Sequence, residues 1–105
     1  MVKQVTALQE YNELIASGKK IAVDFWATWC GPCRFVSPVF EKLSKEHPDI
    51  EFIKIDVDEA PEISQQVGIK AMPTFVTYHG GDKIGELVGA NPQGLADLIG
   101  RLASA

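Results

Sequence analysis

Ile21–Val36 reads IAVDFWATWCGPCRFV and holds both cysteines, Cys30 and Cys33, both tryptophans, Trp26 and Trp29, and a single acidic residue, Asp24. Ile21–Trp26 is nearly continuous in apolar side chains, the pattern of a central strand whose two faces are both covered. Trp29–His47 is the longest helical pattern, with Phe35, Val36, Val39, Phe40 and Leu43 as its expected buried stripe. Pro38 inside it removes one backbone hydrogen bond, which predicts a bend rather than an end. The spacing Cys30-Gly31-Pro32-Cys33 puts two thiols one helical turn apart, close enough to join as a disulfide after modest adjustment. Such a pair is a reversible two-electron switch.

Upstream, Lys3–Thr6 reads as a weak first strand. Thr6-Ala7-Leu8-Gln9 matches a capping box opening a helix over Leu8, Tyr11, Leu14 and Ile15, which Gly18 stops at about Ser17. Downstream, Glu51–Val57 is a strand with apolar residues on both faces. Ala60–Val67 is a short helix with Pro61 at its first position and Gly68 at its exit. Thr74–Tyr78 and Lys83–Val88 flank His79-Gly80-Gly81-Asp82, a glycine-containing hairpin connection. Asn91 caps a last helix with Pro92 at its first position and Leu95, Leu98, Ile99 and Leu102 on its inner face. The order βαβαβαββα predicts an α/β fold, a mixed sheet with a hairpin edge and helices on both sides.

At 105 residues the chain is expected to form one domain, residues 1–105, that needs no covalent staple. Apolar residues make up 46% and charged residues 23%, which argues against disorder. A net charge of −4 argues against a nucleic-acid partner, which would face a basic patch. No apolar run approaches the ~20 residues that span a bilayer, so no membrane partner is expected. MVKQVTALQE lacks the apolar core and cleavage pattern of a secretory signal. A cytoplasmic location is the resulting expectation, and there a C-x-x-C is catalytic or metal-binding before it is structural.

With Cys30 at the mouth of the long helix, its sulfur would face unpaired backbone N–H groups and the positive end of the helix dipole, both of which favour thiolate. Cys33, one turn inward, is expected to be more buried and to resolve a mixed disulfide on Cys30. Gly31 permits a tight approach and Pro32 fixes one backbone dihedral, so the pair tunes the redox potential. Asp24 has two readings: a buried proton acceptor for Cys33 with a raised pKa, or a strand-end carboxylate that reaches solvent. Lys54 on the expected neighbouring strand could pair with it. Trp26 reads as core packing and Trp29 as an exposed platform for substrate. Met72-Pro73 reads as a fixed turn before a strand, with a cis bond as one reading and trans, the default for any X-Pro bond, as the other; sequence physics alone does not decide between them. His47 and His79 read as surface residues. Zinc would need four well-spaced ligands, and neither a second C-x-x-C nor a paired-histidine motif accompanies the cysteines, so no metal is expected.

Val23-Asp24-Phe25-Trp26-Ala27, Trp29-Cys30-Gly31-Pro32-Cys33, Met72-Pro73-Thr74 and Gly89-Ala90 together resemble the thioredoxin family, in its eukaryotic cytosolic and fungal-like form, over essentially the whole chain. The resemblance implies the thioredoxin fold, a central mixed five-stranded sheet flanked by four helices. It implies that Cys30 is the exposed nucleophile, Cys33 the resolving cysteine, Asp24 the buried acid and Lys54 that acid's neighbour. Gly31 and Pro32 match residues that keep the family reducing, and Pro73 matches its cis-proline. Trp29, Val57, Ala71, Met72, Val88, Gly89 and Ala90 match an apolar surface that receives an extended substrate segment.

The implied activity is general protein-disulfide reduction, with a monomer as the expected state and weak dimerisation as the alternative. A thioredoxin reductase would restore the dithiol, so NADPH and FAD belong to that partner and no cofactor is bound here. Arg34 stands where lysine is commoner, and Met72 where isoleucine or threonine is commoner. Two other readings stand beside it: a redox-sensitive binding module using the same surface, and an oxidase or isomerase. Gly31-Pro32 argues against the last, because more oxidising relatives usually carry a histidine beside the second cysteine.

Overall fold

The computed structural model describes residues 2–105. Along the chain run β1 (Val2–Gln4), α1 (Leu8–Ala16), β2 (Ile21–Trp26), α2 (Gly31–Glu46), β3 (Glu51–Asp56), α3 (Pro61–Val67), β4 (Thr74–His79), β5 (Asp82–Val88) and α4 (Pro92–Ala103). The strands form a five-stranded sheet in the order β1-β3-β2-β4-β5. β2 lies at its centre, parallel to β3 and antiparallel to β4. The α/β class, the mixed sheet and the hairpin edge are therefore as the sequence pattern required.

Side chains alternate across β2 and so divide the core in two. Ile21, Val23 and Phe25 join Tyr11, Ile53, Ile63 and Val76 beneath α1 and α3. Ala22 joins Val36, Phe40, Phe52, Phe75 and Leu98 beneath α2 and α4. Asp24 and Trp26 share the parity of Ala22 and point to the α2 side, the side that carries the cysteines. Covering on both faces is the reason β2 reads as a nearly continuous apolar run, interrupted only by Asp24. At the hairpin, Gly80 and Gly81 have φ of 65° and 87°, the two positive values that a tight I′-type connection requires.

Several local expectations need correction. α1 starts after Ala7, and among the described residues no side chain caps it. The supposed capping box is one residue out of register: Thr6 precedes the cap position and Gln9 falls short of the third helical one. β1 covers Val2–Gln4 rather than Lys3–Thr6, because its pairing with β3 ends at Gln4 opposite Lys54. Phe35 is 65% exposed instead of buried. Val36, Phe40 and Leu43 form the inward stripe of α2, and Phe35, one residue away, is rotated by about 100° toward solvent. Val39 is half-buried at the stripe's edge. α2 runs unbroken through Pro38, and Asn91 accepts from the Gly94 N–H at 3.0 Å to cap α4 as expected.

Gly85 marks the tightest packing on β5. A Cβ there would lie 2.7 Å from both Leu98 Cδ1 and Thr77 Oγ1. Gly85→Ala should accordingly lower the urea-unfolding free energy by about 1–3 kcal/mol through overpacking between β5 and α4. An unchanged midpoint would show that Leu98 and Thr77 move aside without cost.

Candidate functional site

The end of β2 delivers the chain into a short loop, and Cys30 becomes the N-cap of α2. Its backbone is extended (φ −90°, ψ 104°), and its sulfur accepts the Cys33 N–H at 3.2 Å. The Cys30 N–H donates to the Ala27 carbonyl at 3.2 Å, closing the turn before the helix. Gly31 and Pro32 occupy the first helical positions, where the missing proline N–H would be unpaired in any case. Cys30 and Cys33 are joined as a disulfide with their Cα atoms 5.3 Å apart. The Cys30 sulfur thus sits where the free N–H groups and dipole of a sixteen-residue helix converge.

Burial does not separate the two cysteines as expected. Cys30 is 5% and Cys33 4% exposed. Bonded to each other, they share one enclosure, formed with Ala27 and flanked by Trp26, Val57 and Met72. What distinguishes them in this form is position: Cys30 caps the helix, whereas Cys33 lies inside its first turn.

Asp24 is the charged group beneath them, 4% exposed. Burial pushes its carboxyl up from 3.8 to about 7, opposed by the positive charge of Lys54. Lys54 faces Asp24 across the β2–β3 register, as the sequence suggested. The suggested ion pair is nevertheless not formed: among the described residues Asp24 has no cation within 4 Å. The Lys54 ammonium lies instead over the Trp26 ring, 5.5 Å from its centroid, where the π face attracts it. Asp24 Oδ1 and Trp26 Nε1 are buried without hydrogen-bond partners among the described residues. Both residues line a cavity of about 110 Å³ whose wall also includes Cys33, Arg34, Ser37 and Lys54. Asp24 and Cys33 therefore border the same small space, and the solvent-reaching alternative for Asp24 is set aside.

Trp26 is half-buried, but Trp29 is 66% exposed beside Cys30. Its indole N–H donates to Asp58 Oδ2 at 2.9 Å, which fixes the ring over the loop after β3. Asp58 was not singled out from the sequence. Its only signal was an aspartate just past the strand carrying Val57, too common a feature to select. Arg34 Nη2 donates to the Thr28 carbonyl at 2.8 Å and braces the loop that holds Trp29.

Two loops far apart in sequence meet at Met72-Pro73, and Met72 packs against the disulfide. The Met72-Pro73 peptide bond is cis and Pro73 is buried. The Gly89 N–H donates to the Pro73 carbonyl at 2.8 Å, tying the turn after β5 to the proline. Thr74 Oγ1 donates to the Ala71 carbonyl at 2.5 Å. Val88 is 56% exposed, Ala71 is exposed, and Gly89 and Ala90 are half-buried. His47 and His79 are half-buried, and among the described residues no cluster of three or more His, Cys, Asp or Glu side chains is placed to hold a metal. No helix of the described residues is long and apolar enough to cross a membrane.

A family model described as Thioredoxin matches residues 2–101 of the chain. A thioredoxin of Coprinus comatus is 54% identical over 101 residues, covering 94% of this chain and 95% of its own length. Thioredoxin-1 of Schizosaccharomyces pombe is 48% identical, with 94% and 96% covered. A mitochondrial thioredoxin-3 of Saccharomyces cerevisiae is 45% identical, with 92% and 80% covered. Among solved structures, the thioredoxin of Malassezia sympodialis superposes with a TM-score of 0.93 at 42% identity, covering 98% of this chain and 91% of that one.

Proposed function

The chain belongs to the thioredoxin family and is a thiol–disulfide oxidoreductase acting through Cys30 and Cys33, and from that premise we propose how its residues divide the work. The observation that carries the reading is the Cys30 sulfur at the N-terminus of α2, accepting a backbone N–H. That field stabilises sulfur as a thiolate and so makes Cys30 the nucleophile at neutral pH. Attack on a substrate disulfide forms a mixed disulfide with Cys30 and expels the other substrate sulfur as thiolate. Cys33 then attacks the Cys30 sulfur, the substrate leaves as a second thiolate, and the Cys30–Cys33 bond is restored. The substrate gains two electrons and, once its thiolates pick up protons, becomes a dithiol.

Asp24 is assigned the proton of Cys33. Its carboxyl, raised to about 7, takes up and gives back a proton near neutral pH, and both groups border one cavity. Lys54 limits how far that carboxyl rises. Gly31 and Pro32 set the potential at which the pair exchanges. Trp29, Val57, Ala71, Met72, Val88, Gly89 and Ala90, with Pro73 beneath them, receive an extended segment of the substrate. Residues 1–105 act as one thioredoxin domain, a monomer, in the cytoplasm. The protein binds no cofactor of its own; an NADPH-dependent thioredoxin reductase with bound FAD supplies the electrons.

The test is to follow NADPH absorbance while the folded protein, a thioredoxin reductase and a protein disulfide are mixed. NADPH should be consumed in proportion to the disulfide reduced. No consumption with intact protein would move the redox-sensitive binding module to the front.

A further inference from the structure

β5 is an edge strand, and one of its faces is left without a helix. Glu86 lies opposite Val76 and Val88 opposite Thr74, so both share the face that α1 and α3 cover elsewhere. The buried cluster under those helices takes in Val76 and Tyr78 of β4 but, among the described residues, none of β5. α3 ends at Val67, and residues 67–71 line the open face together with Glu86 and Val88. The result is a trough of about 280 Å³ with Val67, Ile69, Lys70 and Ala71 on one wall and Glu86 and Val88 on the other.

Ala71 and Val88 belong also to the substrate surface proposed above, so on that reading a chain held there runs directly into the trough. The trough is lined mostly by apolar surface and carries two charged groups. Glu86 is ion-paired with Lys83, whereas Lys70 is exposed and, among the described residues, has no carboxylate within 4 Å. Near Cys30 the charges are acidic, with Asp58 holding Trp29 and Glu59 following it. Lys70 is thus, among the described residues, an unpaired cation in the trough, within a chain whose net charge is −4.

We propose that the trough holds the part of a substrate polypeptide flanking its reactive cysteine, and that Lys70 selects substrates with an acidic side chain there. The inference rests on the protein-disulfide reductase reading and adds a charge rule to it. An apolar trough alone would accept any extended segment; the unpaired ammonium makes one end of that segment distinguishable.

The experiment uses short disulfide-linked peptides that release a chromophoric thiol, alike except for Glu, Gln or Lys at one position, moved from two to five residues along either side of the cysteine. At one of these positions kcat/KM should be about two- to fivefold higher with Glu than with Lys at low salt, the scale of an exposed charge pair. The preference should vanish in Lys70→Met, invert in Lys70→Glu and shrink in concentrated salt. Lys45→Glu, with the same change in net charge on the exposed end of α2, should keep it. Equal ratios in the wild type and Lys70→Glu, or an equal shift in Lys45→Glu, would overturn the inference while leaving the reductase reading intact. Failure to reduce any peptide would overturn that reading and the inference with it.

Discussion

Cys33→Ser should turn the protein from a catalyst into a trap. Cys30 keeps its place at the N-terminus of α2, so the first exchange still proceeds and a substrate sulfur becomes bonded to it. A serine hydroxyl in the first turn cannot attack that bond, because only a thiolate is nucleophilic enough at neutral pH. The mixed disulfide should therefore accumulate one to one with protein and release substrate on adding a small dithiol. Steady-state reduction should fall on the order of 10³-fold or more, the scale seen when a nucleophile is removed from a concerted pair. Cys30→Ser should abolish turnover to the same degree without forming any adduct. The contrast is read by mass under non-reducing conditions. Equal adduct formation by both variants would mean that burial, which is nearly the same for the two cysteines, and not helix position governs which one reacts. Retention of partner binding by both serine variants, with turnover lost, would instead mark a scaffold that uses the same surface.

How much of this site could be read in advance depended on whether a residue's role is local. The helix cap at Cys30 and the exposed Trp29 follow from neighbours within a turn of chain, and sequence patterning located both; the carboxylate on β2 was located too, but patterning left its burial open between two readings. Asn91 and Pro92 were legible for the same reason. Phe35 was misplaced because one position along a helix is a rotation of about 100°, and a run of apolar residues leaves its phase undetermined. The Trp29–Asp58 hydrogen bond and the Gly89–Pro73 bond join elements whose adjacency depends on strand order, which periodicity does not encode. Lys54 shows a subtler limit. Its strand beside that of Asp24 is legible from the pattern, and the register puts the two opposite each other, yet its ammonium prefers the Trp26 ring, a choice set by side-chain direction rather than by strand pairing.

Asp24→Asn should change stability in a way whose sign depends on pH. The folded carboxyl titrates at about 7 because burial disfavours its charge, against 3.8 for the ordinary group. Below 3.8 the carboxyl is neutral in both folded and unfolded chains and the group has no pH-dependent effect. Between the two values the unfolded chain has lost the proton while the folded chain keeps it, so stability declines as pH rises. Above 7 the full cost is present, up to about 4 kcal/mol for a shift of this size. Asparagine cannot ionise, so the variant escapes that cost but leaves a buried amide in its place. With the disulfide kept intact in both proteins, urea unfolding should find the variant equal to or less stable than wild type at pH 4 and more stable by about 2–4 kcal/mol at pH 8. The rate of the Cys33 step should move the other way: mixed disulfides on Cys30 should resolve more slowly in Asp24→Asn, most clearly near pH 7, where the wild-type carboxyl exchanges protons. A stability difference that does not change between pH 4 and pH 8 would show that Asp24 titrates as an ordinary carboxylate, and with that its assignment as the proton acceptor for Cys33 would fall. Gain of stability together with loss of the resolving step is the signature of a charge that the fold carries at a cost for its chemistry.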